Sequence, residues 1–124
     1  MIAVREAVRR AADVCPIEVG VAVAGGDWKL TVVSKLEPGP LRFGALQRAV
    51  GPVSAKTLTR QLRALETDGI VTRTVYAEVP PRVTYALTAA GAELAEVARA
   101  LGSWGERYLG ASAPVAPASA PDAT

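Results

Sequence analysis

Residues 54–68, with the sequence SAKTLTRQLRALETD, predict an amphipathic helix that decides the fold. Leu58, Leu62 and Leu65 recur at the i, i+4, i+7 spacing of one helical stripe. A step of about 100° per residue places three basic side chains on the opposite side of the same helix. These are Lys56, Arg60 and Arg63. The sequence therefore predicts a helix that buries leucine on one side and presents positive charge on the other.

A β-hairpin is predicted directly after this helix. Gly69 suits the C′ position where a helix ends. Residues 70–77 (IVTRTVYA) are rich in β-branched side chains, and in residues 82–87 (RVTYAL) every second residue is a large apolar one. Residues 78–81 (EVPP) connect the two strands, and their prolines stiffen the loop. Basic residues occur on both the helix and the hairpin, an arrangement typical of a winged helix-turn-helix.

The rest of the chain predicts further helices on either side of this unit. Pro16 suits the first turn of a helix, Asp27 is a candidate N-cap for the helix after it, and Thr88 is the candidate N-cap of a terminal helix. Leu41 and Arg42 are candidates for a very short strand. The helices predicted in addition to residues 54–68 span residues 2–13, 16–23, 28–36, 43–50 and 88–109.

These elements predict an α+β, mainly helical fold: a winged helix-turn-helix with a two-stranded wing and terminal dimerisation helices. Residues 1–110 would form one DNA-binding and dimerisation domain. Residues 111–124 are rich in alanine, proline and serine, a composition that favours a disordered tail.

The charge is unevenly distributed along the 124 residues. The formal net charge of the whole chain is +2. Between Arg42 and Thr88, however, seven basic residues stand against three acidic ones, so this part carries +4 and the remainder −2. A locally basic middle suits a surface that faces a polyanion.

Composition also narrows the possible locations and the possible sites. No apolar run reaches the roughly 20 residues that cross a bilayer, and the charged N-terminus lacks the apolar core of a secretory signal, so the cytoplasm is the expected location and no membrane is involved. A single cysteine, Cys15, excludes an intramolecular disulfide. Because the chain has no histidine, a His/Cys zinc site is excluded too, and we predict no metal site and no cofactor.

DNA contacts are predicted on the charged side of the helix and on the hairpin. Reading a duplex requires side chains that reach base edges while other groups hold the phosphates. The candidates on the helix are Ser54, Lys56, Thr57, Thr59, Arg60, Gln61 and Arg63. Arg73 and Arg82 flank the wing and could touch the sugar-phosphate backbone or the minor groove. The alternative is that the helix and both wing arginines are merely solvated.

The last predicted helix carries an apolar seam. Its residues are spaced 3, 4, 3 and 4 apart, as in a heptad repeat, and they are Leu94, Val97, Leu101, Trp104 and Tyr108. A small domain that cannot cover such a seam needs a partner, most simply a second copy. The alternative is that the seam packs against the domain's own N-terminal helices.

Cys15 is a candidate redox sensor. It precedes Pro16 and so stands at a predicted helix N-terminus, where the helix dipole favours a thiolate. The alternative is a small buried apolar residue, which is what most free cysteines are.

Catalytic constellations are absent from the sequence. It has no histidine base, no glycine-rich phosphate loop after a strand, and no close pair of carboxylates in a plausible cleft. We therefore predict no catalytic residues and do not expect an enzyme.

Several motifs together resemble the HxlR-type (also called DUF24) branch of the MarR-like winged-helix transcription regulators. The resemblance covers about residues 15–108. Its landmarks are Cys15-Pro16, Gly-Gly-x-Trp-Lys at 25–29, Leu-Arg-Phe-Gly at 41–44, Leu-Thr-x-Gln-Leu-Arg at 58–63 and Val-Pro-Pro-Arg-Val-x-Tyr at 79–85. Asp27 departs from the pattern, since many members carry lysine there.

The resemblance implies a homodimer that binds an inverted-repeat operator in double-stranded DNA and controls nearby redox, detoxification or metabolic genes. In a subset of the family, the cysteine that matches Cys15 senses electrophiles or oxidants, so a small-molecule or oxidant effector is a further expectation. We expect a sequence-specific regulator, a repressor rather than an activator. The competing hypothesis is a winged helix used only for protein–protein contact.

Overall fold

The computed structural model describes residues 4–112 of the chain. Within that range six helices and three strands follow one another. The first helices are α1 (Glu6–Ala12), α2 (Pro16–Ala24) and α3 (Lys29–Leu36), followed by the short strand β1 (Leu41–Arg42). Then come α4 (Phe43–Val50), α5 (Ala55–Thr67), β2 (Val71–Tyr76), β3 (Arg82–Leu87) and α6 (Ala89–Ser112).

Helix α5 has the caps that its sequence predicts. The Ser54 hydroxyl oxygen accepts a hydrogen bond from the Thr57 amide over 3.0 Å, which satisfies one free donor of the first turn. Gly69 ends the helix with a φ of 76°, a left-handed conformation that glycine adopts without steric cost. The helix therefore begins and ends where the sequence indicates.

One apolar core lies between α3, α4, α5, the sheet and the first turns of α6. Leu58 and Leu65 of the α5 stripe are fully buried in it, and Leu62 nearly so. The other buried members are Val32, Val33, Leu36, Leu46, Val50, Val53, Ile70, Val71 and Ala95. Burial of this apolar surface is the main force that holds the helices on the sheet.

The sheet has three antiparallel strands in the order β1-β3-β2. Leu41 of β1 pairs with Tyr85 of β3, which in turn pairs with Arg73 of β2. The predicted hairpin is confirmed, and the two-residue strand adds to its far edge. Since strand residues alternate between faces, Leu41, Tyr85 and Arg73 share one face, while Arg42 and Thr84 share the other.

Helix α6 is fixed at its start by Thr88 and Gly91. The Thr88 hydroxyl accepts a hydrogen bond from the Gly91 amide over 3.0 Å and donates to the Gly69 carbonyl over 2.6 Å. A Cβ at Gly91 would collide with the carbonyl oxygen of Ile70, so only glycine allows this close approach of α6 to the sheet. The predicted cap is confirmed.

Helices α1, α3 and α6 have ends that differ from the sequence prediction. Asp27 is not the N-cap of α3: the helix begins at Lys29, the N-cap is Trp28 with a left-handed φ of 75°, and no side chain caps it. Helix α1 begins at Glu6, later than predicted. Helix α6 runs to Ser112, so the first two residues of the predicted tail are helical, and the rest of that tail lies outside the described residues.

No helix in residues 4–112 is both long enough and apolar enough to cross a membrane.

Candidate nucleic-acid interface

The basic surface of α5 is the first candidate element. Lys56, Arg60 and Arg63 are all exposed, and together with Thr59 they line one shallow depression. None of the three cations forms an ion pair with a carboxylate in the part of the chain that the structure describes. The helix thus presents three uncompensated positive charges opposite its buried leucines.

Ser54, Thr57 and Thr59 lie beside these cations. Ser54 is exposed at the N-terminal end of α5, while Thr57 and Thr59 are half-buried. The Ser54 hydroxyl already accepts from the Thr57 amide, so it retains its own O–H as a donor. These three residues lie where the sequence analysis expected them, near the exposed end of the helix.

Gln61 does not belong to this surface. Only 8% of it is exposed, and its side-chain amide donates a hydrogen bond to the Asp27 carbonyl over 2.8 Å. The prediction that Gln61 offers a free hydrogen-bonding group to DNA is therefore wrong in this arrangement. Its position gives the reason: Gln61 is three residues after Leu58 and four before Leu65, on the buried stripe itself.

Arg73 lies on the sheet face that is turned toward α5. It lies on the same sheet face as Tyr85 and lines a groove of about 450 Å³ together with Thr59, Arg63 and Glu66. The Arg73 guanidinium thus extends the positive surface of α5, and Glu66 places one negative charge at its edge.

Arg82 is engaged within the wing. Its guanidinium donates to the Glu78 carboxylate over 2.8 Å and lies 3.8 Å from the centre of the Tyr76 ring. The hydrogen bond from Arg82 lowers the pKa of Glu78 below its ordinary value. Because its charge is already paired, Arg82 is a weaker candidate for a phosphate contact than the cations of α5.

Arg42 is a candidate that the sequence analysis did not single out. It is exposed on β1, directly across the sheet from Thr84 and on the same face as Arg82. Its charge also contributes to the lowered pKa of Glu78, which places it near the wing loop. The alternation of Leu41 inward with Arg42 outward was the signal available in the sequence.

Comparison with known proteins identifies this arrangement of helices and wing. Residues 23–113 match the family model described as HxlR-like helix-turn-helix. The chain belongs to this HxlR-like family. The family consists of transcriptional regulators rather than enzymes, and this chain is accordingly a transcriptional regulator with a helix-turn-helix.

Individual relatives agree with this assignment. An uncharacterized HTH-type transcriptional regulator of Methanothermobacter thermautotrophicus is 44% identical over 94 residues, which make up 76% of this chain and 72% of the relative. A MarR-family transcriptional regulator of Enterococcus faecalis V583 superposes with a TM-score of 0.68 at 37% identity, over 77% of this chain and 86% of its own. The redox regulator HypR, in its oxidized form, superposes with a TM-score of 0.70 at 41% identity, over 75% and 96%.

The seam on α6 of this HxlR-like regulator is largely exposed. Val97, Leu101, Trp104 and Tyr108 are each between 52 and 57% exposed, and the rings of Trp104 and Tyr108 stack with centres 5.0 Å apart. Leu94 is the exception, since it is half-buried and packs against the domain's own core. Leu94 therefore belongs to the domain's own packing rather than to the exposed part of the seam.

Helix α2 adds exposed apolar side chains that the sequence analysis missed. Ile17 and Val21, one turn apart, are 74% and 56% exposed, and Val14 just before the helix is exposed as well. Val21 lines an apolar groove of about 350 Å³ together with Val97 and Leu101 of α6. The uncovered apolar surface therefore runs from α6 onto α2.

Cys15 stands at the N-cap of α2, as the sequence predicts. It is half-buried, and its side chain makes no capping hydrogen bond. Pro16 occupies the first turn after it. The thiol thus lies at the junction of α1 and α2, beside exposed apolar residues.

A buried charged cluster closes the opposite end of α5. The Asp68 carboxylate accepts hydrogen bonds from the backbone amide and the side chain of Arg5, and the ammonium-bearing Lys29 is buried nearby. Burial lowers the pKa of Lys29, the positive charge of Arg5 lowers it further, and the negative charge of Asp68 acts in the other direction.

Residues 4–112 contain no group of three or more cysteine or carboxylate side chains placed to hold a metal ion.

Proposed function

We propose that this regulator binds double-stranded DNA sequence-specifically, as a homodimer on an inverted-repeat operator, and acts as a repressor. The observation that carries the proposal is the uncompensated positive surface of α5, formed by Lys56, Arg60 and Arg63 above a stripe of buried leucines. Such a helix has free cations to reach phosphates and guanine edges. A repressor would act by occupying DNA that the transcription machinery needs.

The proposed docking places the N-terminal half of α5 in the major groove. Ser54, Thr57 and Thr59 would supply neutral hydrogen bonds there, and Arg60 and Arg63 would bind bases or phosphates. Helix α5 has 13 residues and is about 20 Å long, enough to lie across a groove about 12 Å wide. The wing would lie along the sugar-phosphate backbone with Arg42 of β1 beside it as a free cation, while Arg73, on the other face of the sheet, would join the cations of α5.

A second copy is proposed to cover the apolar surface of α6 and α2. Val97, Leu101, Trp104 and Tyr108 would form the centre of this contact, and Val21 would extend it. An exposed aromatic and aliphatic surface of this kind favours association. Two-fold symmetry would then present two copies of α5 to half-sites about one helical turn, roughly 10 bp, apart.

We also propose that Cys15 makes the regulator responsive to oxidants or electrophiles. The thiol lies at the N-cap of α2 without a capping hydrogen bond, and Cys15 is the only cysteine of the sequence that an oxidant could modify. The structural relative HypR is a redox regulator, which supports the same role here.

A DNA-binding regulator acts where the chromosome lies, so the cytoplasm is the proposed location.

The experiment that tests DNA binding is a salt titration on selected duplexes. The wild-type protein would first select its preferred duplex from a random pool, and affinity for that duplex would then be measured between about 50 and 200 mM salt. We expect affinity to fall steeply with salt, because each phosphate contact releases a bound counterion.

The double variant Arg60→Ala/Arg63→Ala should lower both the affinity and the salt slope, by about one slope unit for each phosphate contact removed. Arg10→Ala is the control, because it also removes an exposed cation. Arg10 lies on α1, and α1 is bonded to the C-terminal end of α5, away from the proposed DNA surface. Unchanged binding in the double variant would reject the assignment of α5. A wild-type protein without salt-dependent affinity for DNA would instead favour the protein–protein module.

A further inference from the structure

Arg5 joins three helices through one guanidinium. Its Nε donates to one carboxylate oxygen of Asp68 over 2.8 Å, and its backbone amide donates to the other over 3.0 Å. Its Nη2 also donates to the carbonyl of Ala22, in the last turn of α2, over 2.7 Å. Arg5 is itself the N-cap of α1. The start of α1 and the ends of α2 and α5 therefore meet at this side chain.

The negative charge of Asp68 requires compensation because it is buried at the C-terminal end of α5. Asp68 caps the C-terminus of α5, where the helix dipole already places negative partial charge, and its side chain is fully buried. A buried carboxylate at that end of a helix is unfavourable unless cations compensate it. Arg5 and Lys29 supply the compensation, and neither belongs to α4 or α5.

We propose that Arg5 is a positioning residue for the recognition helix, whose pairing with Asp68 fixes how α5 is presented to DNA. This inference rests on the proposed DNA binding and deepens it. Arg5 does not contact the duplex; it acts through Asp68. The charged end of α5 is held by this pair, while the opposite end, which begins at Ser54, is left free to enter a groove.

The same pair connects the surroundings of Cys15 to α5. Cys15 lies between α1 and α2, and Arg5 is bonded to the last turn of α2 while it caps α1. A change in how α1 packs on α2 therefore displaces Arg5 or breaks its bonds. Either event alters the support of α5 without any change at the DNA surface.

The test compares Arg5→Ala, Asp68→Asn and the double variant with Val8→Ala. Val8 is the buried apolar residue of α1, so Val8→Ala weakens the same helix but leaves the ion pair intact. The double variant leaves neither Arg5 nor Asp68 as the unpaired half of their ion pair, so it remains measurable if Arg5→Ala alone fails to fold. Each protein is titrated onto the duplex selected by the wild type and onto a random duplex, and hydrogen exchange is followed in α5.

We expect Arg5→Ala and Asp68→Asn each to lower affinity for the selected duplex about 3- to 30-fold, with a smaller effect on the random duplex. The double variant should lose no more than either single variant, because both remove the same pair. Amide exchange in the last turn of α5 should rise in these variants. Val8→Ala should show neither change at a temperature where it is folded.

Two results would overturn the inference. If Arg5→Ala and the double variant bind the selected duplex as the wild type does, or if α5 exchanges unchanged, Arg5 does not position the helix. If Val8→Ala loses as much affinity as Arg5→Ala, the effect is one of general stability. If the wild type binds no DNA, the proposed function itself is rejected. That outcome is distinguishable from the two above, because in both of them the wild type binds the selected duplex.

Discussion

The side-chain amide of Gln61 donates a hydrogen bond to the backbone carbonyl of Asp27 over 2.8 Å. This bond joins the middle of α5 to the turn between α2 and α3. The side-chain N–H group that Gln61 could have donated to a base is therefore engaged within the protein. Its neighbour Arg60 is exposed and free of any ion pair among residues 4–112.

Replacing Gln61 should therefore lower stability, whereas replacing Arg60 should lower DNA binding. Gln61→Leu places an apolar side chain on the buried stripe but removes the hydrogen bond to the Asp27 carbonyl, which should lower the free energy of unfolding by about 0.5–1.5 kcal/mol. The salt slope of DNA binding should stay the same. Arg60→Ala should lower specific binding by about 1–3 kcal/mol and change stability by less than about 0.5 kcal/mol. Urea unfolding and salt titration measure the two quantities, and equal behaviour of the two variants would reject the distinction.

Lys29 should make stability depend on pH on the alkaline side. Its pKa is lower in the folded protein than the ordinary value of 10.5, mainly because burial disfavours the charged form. The unfolded chain therefore binds the proton more tightly, and stability rises with pH through the window between the lowered pKa and 10.5.

Lys29→Met removes this dependence. The difference in stability between the variant and the wild type should shift in favour of the wild type as pH rises through that window. Lys56→Met, at an exposed lysine, is the control and should follow the wild-type curve. Parallel curves for Lys29→Met and wild type would show that the lysine is not desolvated in solution.

Leu101 should be needed for self-association. It lies on the exposed seam of α6, so Leu101→Glu would place a charge in the centre of the proposed contact without disturbing the domain's own core. We expect sedimentation equilibrium to find a dimer for the wild type and a monomer for Leu101→Glu. Val79→Glu, at a fully exposed apolar residue of the wing loop, should remain dimeric. A wild type that sediments as a monomer at all concentrations would reject the proposed interface.

Cys15 should account for any response to thiol oxidants. Oxidation with diamide should weaken operator binding of the wild type, and Cys15→Ser should abolish this loss while it retains basal affinity. Because Cys15 is the only cysteine, any disulfide that forms between protein chains must appear as a dimer on a non-reducing gel. A Cys15→Ser protein that is equally sensitive to the oxidant would refute the sensor role.

Local signals predicted much of the fold. The bounds of α4 and β3 agree with the sequence prediction residue for residue, because a glycine-proline turn limits α4 and strict alternation marks β3. Pro16, Ser54 and Thr88 each stand at the start of the helix that their chemistry favours. Caps, breakers and periodicity act over a few residues, so one sequence contains enough information to place them.

The errors arose where contacts between distant segments decide the outcome. Asp27 has the side chain of an N-cap, but its carbonyl accepts from Gln61, which is 34 residues away, and Trp28 takes the capping position instead. Arg73 and Arg82 look alike in the sequence, yet the register of β2 with β3 turns one toward α5 and the other toward Tyr76. Leu94 belongs to the heptad-like spacing, and only the packing of α6 shows that it serves the core.

The two-residue strand β1 has a consequence for the kind of duplex that the proposed DNA binding would favour. Its pairing with β3 ties the hairpin to the residue that precedes Phe43, where α4 begins. This pairing restrains the base of the hairpin, so in the proposed complex more of the adaptation would fall to the nucleic acid. Preferred sites should therefore share an intrinsic groove width and an ease of bending at positions that no side chain touches.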